Sequence, residues 1–202
     1  MLAMNDQLFL HINAAPDASP SIIYAAELIA SKLIDLVPVL LVALWIWGKP
    51  LRRTGLVASS IAAALALGTN QLVGLLWFEP RPFMIGLGRT LVVHAPENSF
   101  PSDHTTFILT VGFALIATRA APTWGKVVIV LGALVGWARI YVGLHFPVDI
   151  LASSLIACLF GIIAALLELP VGLWIMPSLE WVYEGALEAL RLPPCVFPRR
   201  HG

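Results

Sequence analysis

Five apolar stretches divide this chain, over about residues 22–47, 55–78, 104–118, 127–143 and 147–168. Hydrophobic residues make up 59% of the 202-residue sequence and charged residues 12%, whereas soluble domains average about 45–50% and about 25%. A soluble fold of this length could not bury so much apolar surface. The sequence therefore predicts an all-α integral membrane protein, a helical bundle of about five transmembrane helices.

The segments outside the bundle are predicted to lie at the membrane surface. Residues 1–19 form the N-terminal interfacial segment, with a short amphipathic helix over residues 4–14, and residues 20–168 form the transmembrane core. Pro170 is expected to end the fifth span, so that residues 169–202 form an amphipathic helix and a basic tail. The glutamates of that helix recur every fourth residue, which is typical of a solvated face: Glu180, Glu184 and Glu188.

Basic residues predict the orientation of the bundle. One side of a five-span protein receives Lys49, Arg52, Arg53, Arg119, Lys126, Arg191, Arg199 and Arg200. The positive-inside rule makes that side cytoplasmic, together with the C-terminal helix and tail. Arg81, Arg89 and Arg139 fall on the opposite side, where the rule disfavours them. An anionic ligand on the outer face would explain their presence there.

Few polar residues interrupt the spans themselves. Lys32 and Asp35 are three residues apart in the first span, where a helix would bring them to one face. We favour a structural ion pair between them over a catalytic lysine. Asn70 and Gln71, near the end of the second span, are expected to make interhelical hydrogen bonds.

Three polar segments lie at the outer ends of the spans, at residues 79–83, 99–106 and 139–149. In the second segment, Ser102 or Asp103 can cap the helix that follows, and the free amides of its first turn can cradle a phosphate. A simple capping sequence explains the same pattern equally well. In the first segment, Arg81 offers a planar fork for phosphate oxygens, although an arginine in contact with lipid headgroups would look the same.

The third polar segment carries His145 and Asp149, four residues apart across the start of a helix. A carboxylate on one imidazole nitrogen would fix the tautomer and leave the other nitrogen free to attack phosphorus. His104 would then protonate the leaving oxygen, a contribution of roughly 10²–10⁴-fold. Each histidine alone is also compatible with a polar helix end. Their convergence with arginines and carboxylates on one face of so apolar a chain favours phosphate chemistry at a membrane surface.

These segments resemble the signature of the phosphatidic acid phosphatase type 2 superfamily, which reads Lys-x6-Arg-Pro, Pro-Ser-Gly-His and Ser-Arg-x5-His-x3-Asp. The matching residues here are Arg81-Pro82, Pro101-Ser102, His104, Arg139, His145 and Asp149. The sequence is most similar to the bacitracin-resistance branch, the undecaprenyl-diphosphate phosphatases, in its Phe-Glu-Pro-Arg-Pro-Phe and Ser-Phe-Pro-Ser-Asp-His-Thr-Thr strings. The resemblance covers about residues 20–168.

The resemblance implies a role for each matching residue. His145 would be the nucleophile that forms a phosphohistidine, with Asp149 as its partner, and His104 would be the general acid. The phosphoryl oxygens would be held by Arg81, Ser102, Arg139 and the backbone at Asp103. No metal and no other cofactor is expected in this superfamily, and the sequence shows no spare cluster of carboxylates for a metal.

Two positions depart from the superfamily pattern. Gly74 stands where lysine is expected, and Ala138 stands where serine is expected before Arg139. We expect other phosphate ligands to compensate, with Arg89 as the candidate. For Glu79 and His94, contacts with a headgroup or water and a purely structural role in the loop are equally compatible with the sequence.

The predicted activity is removal of the terminal phosphate of undecaprenyl diphosphate, a polyprenyl diphosphate lipid, on the outer face of a bacterial inner membrane. It would recycle the lipid carrier for peptidoglycan synthesis and counter bacitracin. The alternatives are a broader lipid phosphatase, acting on phosphatidate or phosphatidylglycerol phosphate, and a lipid phosphotransferase. A non-enzymatic transporter would want polar residues along its spans, whereas here they gather at one end. The zero net charge gives no indication of nucleic-acid binding, and the oligomeric state stays open.

Overall fold

A computed structural model describes residues 2–193 and 196–199. Eight α-helices and no β-strand occur in this part of the chain. The helices are α1 (Leu2–Ile12), α2 (Pro20–Lys32), α3 (Leu36–Trp47), α4 (Arg53–Leu76), α5 (Asp103–Ala117), α6 (Pro122–Tyr141), α7 (Pro147–Pro170) and α8 (Met176–Ala189). The prediction of an all-α fold is confirmed.

Among the described residues, four helical segments are long and apolar enough to cross a membrane: Pro20–Trp47, Pro50–Leu76, Pro122–Tyr141 and Pro147–Ala189. The remaining predicted span is α5, which has 15 residues and extends about 22 Å at 1.5 Å per residue. That is less than the roughly 30 Å of a hydrocarbon core. A short helix is tolerated here because its first residues line a polar cavity inside the protein, where irregular backbone is not exposed to lipid.

α5 is the central helix and packs against α4, α6 and α7. Ile108 and Leu115 of α5 are fully buried and belong to one hydrophobic cluster with Val128 of α6. The two helices approach closely because glycines meet between them: a Cβ on Gly125 would lie 2.7 Å from the carbonyl oxygen of Gly112. Small residues at such contacts allow transmembrane helices to pack backbone against backbone.

The first span is continuous only as a composite of α2 and α3, which are joined by a 3₁₀ turn over Leu33–Asp35. The predicted ion pair between Lys32 and Asp35 is wrong. Both side chains are exposed, and no salt bridge joins them. An exposed pair gains little from holding two side chains in one geometry, because side-chain entropy opposes it.

Pro170 does not end the last span, contrary to the prediction. The chain continues from α7 through a π-helical turn, Val171–Ile175, directly into α8. The π turn begins directly after the proline and carries the chain on into the next helix. The prediction of a fully solvated glutamate stripe is also wrong, because Glu180 is only 5% exposed.

The first and the last of these helices dock on the bundle. The buried ring of Phe9 in α1 lies 5.4 Å from the ring of Phe146, measured between centroids. At the opposite end, the fully buried guanidinium of Arg53 lies over Trp45 and over Tyr183 of α8, at 5.2 Å and 4.6 Å from the ring centroids. Cation–π contacts of this kind stabilise desolvated arginines.

We predict that Gly125→Ala lowers the thermal unfolding midpoint of the detergent-purified protein, because its Cβ would meet the backbone of α5. Overpacking of this kind costs about 1–3 kcal/mol. The matched control is Gly68→Ala in α4, whose Cβ would meet nothing within 4 Å. That control should leave the midpoint unchanged or slightly raised, since alanine is the better helix former. Equal effects of the two substitutions would contradict the close α5–α6 contact.

Candidate active site

The three polar segments meet at one end of the bundle, where α4 and α6 end and α5 and α7 begin. They contribute to a cavity of about 450 Å³. Six residues singled out from the sequence line this cavity: Arg81, His94, Asp103, His104, Arg139 and His145. Two others, Ser102 and Asp149, are buried behind its wall. The predicted convergence of the histidines and arginines is therefore present in the folded chain.

The imidazole of His145 is held by a partner at each nitrogen. Its Nδ1 lies 2.8 Å from the carbonyl oxygen of Ser99, and its Nε2 lies 3.0 Å from Nη1 of Arg81. A carbonyl oxygen only accepts and a guanidinium only donates, so these partners assign the proton to Nδ1 and the lone pair to Nε2. The nitrogen with the free lone pair is thus the one beside Arg81.

The surroundings of His145 also determine its charge. Burial lowers the pKa of His145 well below the usual 6.5, and the positive charges of Arg139 and Arg81 lower it further. The hydrogen bond from Nδ1 to the carbonyl of Ser99 opposes this effect only in part. The ring is therefore neutral at neutral pH, which is the state in which an imidazole can act as a nucleophile.

Asp149 lies in the first turn of α7 and is 2% exposed. Its Oδ2 accepts the backbone N–H of Phe146 at 2.8 Å and the hydroxyl of Ser99 at 2.5 Å. The same oxygen lies 3.3 Å from Nδ1 of His145. The histidine and aspartate four residues apart are therefore adjacent, as the spacing predicted. The shorter contact of Nδ1, however, is with the carbonyl of Ser99.

Arg81 and Arg139 present two buried guanidinium groups to the cavity, 5% and 3% exposed. Nη1 of Arg81 donates to the carbonyl of Leu144 at 3.1 Å, and Nη1 of Arg139 donates to the carbonyl of Ala30 at 3.1 Å. The Nε atom of each arginine is buried with no partner in the described part of the chain. An unsatisfied buried donor costs about 1–3 kcal/mol. Each of the two arginines therefore keeps one buried N–H donor unpaired in the described part of the chain.

Nearby carboxylates partly compensate the positive charge of the arginines in this cavity. Burial lowers the pKa of Arg81, while the negative charges of Glu97, Asp149 and Asp103 act in the opposite direction. An arginine remains protonated under such a shift.

In the described residues, no group of three or more His, Cys, Asp or Glu side chains is arranged to hold a metal ion.

Hydrogen bonds fix the polar side chains around the start of α5. The carboxylate of Asp103 accepts from Asn70 Nδ2 at 2.8 Å and from Gln71 Nε2 at 3.0 Å, which confirms the predicted interhelical hydrogen bonds. Ser102 does not line the cavity: its hydroxyl pairs with Thr105 Oγ1 at 3.2 Å. Anchored in this way, the Asp103 side chain leaves the first-turn amides of the helix as donors toward an anion.

The structure does not bring Arg89 to the cavity. Its Nη1 donates to the carbonyl of Ala15 at 2.9 Å, and its backbone N–H donates to Asn13 Oδ1 at 2.7 Å. Arg89 therefore anchors the N-terminal segment and does not take the place of the missing motif lysine. Glu79 also lies outside the lining, with Oε2 accepting from Trp77 Nε1 at 3.3 Å. His94 does line the cavity.

Asn98 occupies the space beside Gly74, the position where the superfamily signature has lysine. A Cβ on Gly74 would lie 2.9 Å from Asn98 Nδ2. That amide is fixed, because Nδ2 donates to the carbonyl of Phe100 at 2.5 Å and Oδ1 accepts the N–H of Glu79 at 2.7 Å. Ala138, at the other departure from the signature, is fully buried in a hydrophobic cluster that includes Ala26 and Ala30.

Sequence reasoning missed Ser99, Asn98 and Glu97. Asn98 and Glu97 line the cavity, and Ser99 contacts both His145 and Asp149. Ser99 belongs to the quoted Ser-Phe-Pro-Ser-Asp-His string, so its place in the motif was a usable signal. Its shortest contact with His145 is made by its carbonyl oxygen, however, and a carbonyl has no signature in a sequence.

Comparison with known proteins gives concordant matches. The sequence model of the PAP2 superfamily matches residues 54–170. The chain is 38% identical over 163 residues to the putative undecaprenyl-diphosphatase YbjG of Escherichia coli (strain K12). The aligned region covers 80% of this chain and 81% of that protein. It is 36% identical over 151 residues to the undecaprenyl-diphosphatase BcrC of Bacillus subtilis (strain 168), covering 75% and 74% of the two chains.

A solved structure shares the fold. The crystal structure of Aquifex aeolicus LpxE aligns with a TM-score of 0.65 at 25% identity, covering 80% of this chain and 94% of that chain. The region matched by the superfamily model contains all three polar segments. The similarity therefore includes the residues that line the cavity.

We predict that His145 stays neutral as the pH falls from about 8 to about 5.5, where an ordinary imidazole becomes mostly protonated. The sign follows from its pKa, which burial and two arginines hold well below 6.5. Nitrogen NMR of histidine-labelled protein in micelles would measure this, with His145→Gln identifying the signal. The signal should keep one protonated and one unprotonated nitrogen throughout. A titration midpoint at or above 6.5 would contradict the buried, arginine-flanked geometry.

Proposed function

The chain belongs to the PAP2 superfamily, and on that premise we propose that it hydrolyses undecaprenyl diphosphate to undecaprenyl phosphate and inorganic phosphate. Both curated relatives carry that activity in their names. The observation that carries the chemistry is the approach of His145 Nε2 to Arg81 Nη1, at 3.0 Å, in a cavity also lined by Arg139. A nucleophilic lone pair and a phosphate-binding cation thus meet at one point.

In the proposed first step, Nε2 of His145 attacks the terminal phosphorus of the lipid diphosphate. The Nε2–P bond forms while the bond from phosphorus to the bridging oxygen breaks. His104, which lines the same cavity, gives a proton to that oxygen as undecaprenyl phosphate leaves. The neutral ring of His145 supports this assignment, because Nε2 needs no prior deprotonation.

In the second step, water attacks the phosphorus of the phosphohistidine. His104, now unprotonated, accepts a proton from that water as the N–P bond breaks. Inorganic phosphate leaves and His145 returns to its neutral form. The reaction therefore regenerates both histidines, and it needs no group beyond the chain's own residues and water.

Charge development in both steps falls on the phosphoryl oxygens. We assign these oxygens to the guanidinium groups of Arg81 and Arg139 and to the first-turn amides at Asp103. The place of both arginines in the cavity lining supports this assignment. Arg81 gives up its contact with Nε2 of His145 when phosphate enters and uses the same N–H on a phosphoryl oxygen. Ser102 then acts from behind the wall, by holding the start of α5.

The cavity position supports a site on the outer face of a bacterial inner membrane. Lys49, Arg52, Arg119 and Lys126 lie at the opposite end of the bundle from the cavity, and the positive-inside rule makes that end cytoplasmic. The headgroup then enters the cavity while the polyprenyl chain stays between lipid and helices. The product is the carrier for peptidoglycan synthesis, and removing the diphosphate form denies bacitracin its target. His94, at the cavity wall, is assigned to the phosphate that stays on the lipid.

We predict that the purified protein in detergent releases phosphate faster from undecaprenyl diphosphate than from phosphatidate or phosphatidylglycerol phosphate. The three lipids are assayed in parallel, separate reactions. The activity should be unchanged by EDTA, because the proposed chemistry uses no metal. A higher kcat/KM for phosphatidate would keep the chemistry and overturn the proposed substrate. Loss of activity in EDTA that returns with a divalent ion would overturn the mechanism.

We predict that His145→Ala lowers kcat by at least about 10³-fold, as removal of a nucleophile does in other covalent catalysts. The matched control is His11→Ala, on the exposed side of α1, which should match wild type. Rapid acid-free quenching of the wild type with phosphorus-labelled substrate should yield label on His145, stable in alkali and lost in acid. Labelled protein obtained from His145→Ala would overturn the assignment.

A further inference from the structure

Ser99 connects the three polar segments through its own polar groups. It is fully buried. Its backbone N–H donates to the carbonyl of Glu79 in the first segment at 2.8 Å. Its carbonyl accepts from Nδ1 of His145, and its hydroxyl donates to Oδ2 of Asp149, both in the third segment. No other residue of the second segment bonds to both of the others in the described chain.

The carbonyl of Ser99 is the acceptor that sets the tautomer of His145. Nδ1 lies 2.8 Å from this carbonyl oxygen but 3.3 Å from the Asp149 carboxylate. Hydrogen bonds from N–H to oxygen fall mostly between about 2.7 and 3.2 Å. The carbonyl of Ser99 is therefore the hydrogen-bond acceptor for Nδ1, whereas the Asp149 carboxylate acts mainly as a negative charge near the ring.

The hydroxyl of Ser99 controls where that charge lies. Oδ2 of Asp149 accepts this hydroxyl at 2.5 Å and the backbone N–H of Phe146 at 2.8 Å. Two donors at fixed angles hold the carboxylate in one rotamer. Without the hydroxyl, Oδ2 keeps only the amide of Phe146 and the longer contact with Nδ1, so the carboxylate is held less firmly beside the imidazole.

We infer that Ser99 is a positioning residue for the nucleophile, acting through both its carbonyl and its hydroxyl. This inference rests on the proposed function, because it takes His145 as the attacking group. When the Nε2–P bond forms and the bond to the leaving oxygen breaks, Nδ1 keeps its proton and the ring becomes positive. The carbonyl of Ser99 and the carboxylate that its hydroxyl holds both stabilise this charge, which is absent before attack.

The experiment compares Ser99→Ala with Ser154→Ala in the full-length protein. Ser154 is the matched control: it lies on α7, and its hydroxyl bonds only to the carbonyl of Ile150 in its own helix. We expect Ser99→Ala to lower kcat roughly 10- to 100-fold, the scale of a lost hydrogen bond to a charged group. KM and the inhibition constant of inorganic phosphate should change by less than about twofold, because the arginines that bind the phosphate are untouched. Ser154→Ala should match wild type.

Two results would overturn the inference. One is a kcat for Ser99→Ala within about twofold of wild type. The other is a rise in KM and in the phosphate inhibition constant that accounts for the whole loss, since that pattern belongs to a residue that only shapes the cavity. Ser99→Cys nearly keeps the size of the side chain but donates a weaker hydrogen bond, so its kcat should lie between those of Ser99→Ala and wild type. This second variant separates a lost hydrogen bond from misfolding of the first.

The same assay separates this inference from the proposed function. Variant rates are taken as ratios to wild type on whichever lipid phosphate the wild type cleaves fastest. If undecaprenyl diphosphate is not that substrate, the proposed function fails while the Ser99 ratio is still measured. If wild type and His145→Ala release phosphate equally, the nucleophile assignment fails, and the Ser99 inference fails with it.

Discussion

Two guanidinium groups buried in one cavity of an apolar bundle are the constraint on which the site depends. Burying a charge is costly unless it is paired, and Arg81 and Arg139 make no salt bridge to a carboxylate within the described chain. Arg81 donates instead to the carbonyl of Leu144 and to Nε2 of His145, and Arg139 donates to the carbonyl of Ala30. The fold thus keeps positive charge available for an anion, at a cost in stability that the packed helices around it must offset.

The short central helix α5 makes room for this cavity inside the bundle. α5 is shorter than a full span, and its first two residues line the cavity together with the arginines. The carboxylate of Asp103 at this terminus accepts hydrogen bonds from Asn70 and Gln71 of α4, which fix its position. The start of α5, the two arginines and the neutral His145 therefore line the same cavity.

Local patterns were readable from the sequence, and tertiary ones were not. The spans follow from apolar runs, and the contact between His145 and Asp149 follows from their spacing at a helix start, because both depend on neighbours in sequence. Arg89 was misjudged because its partners, Asn13 and Ala15, lie in a remote segment. The continuation past Pro170 was missed because a π turn has no strong sequence signal. The carbonyl of Ser99 is backbone, which any residue supplies.

The close approach of Gly74 and Asn98 links the residue types that the chain can hold at these two positions. A side chain at position 74 would collide with the Asn98 amide, which is itself fixed by bonds to Phe100 and to the backbone of Glu79. A lysine at position 74 would therefore require the Asn98 amide to shift, and with it the loop that carries the first polar segment. The residue type at position 74 and the residue type at position 98 are thus physically coupled, although they lie 24 residues apart in the sequence.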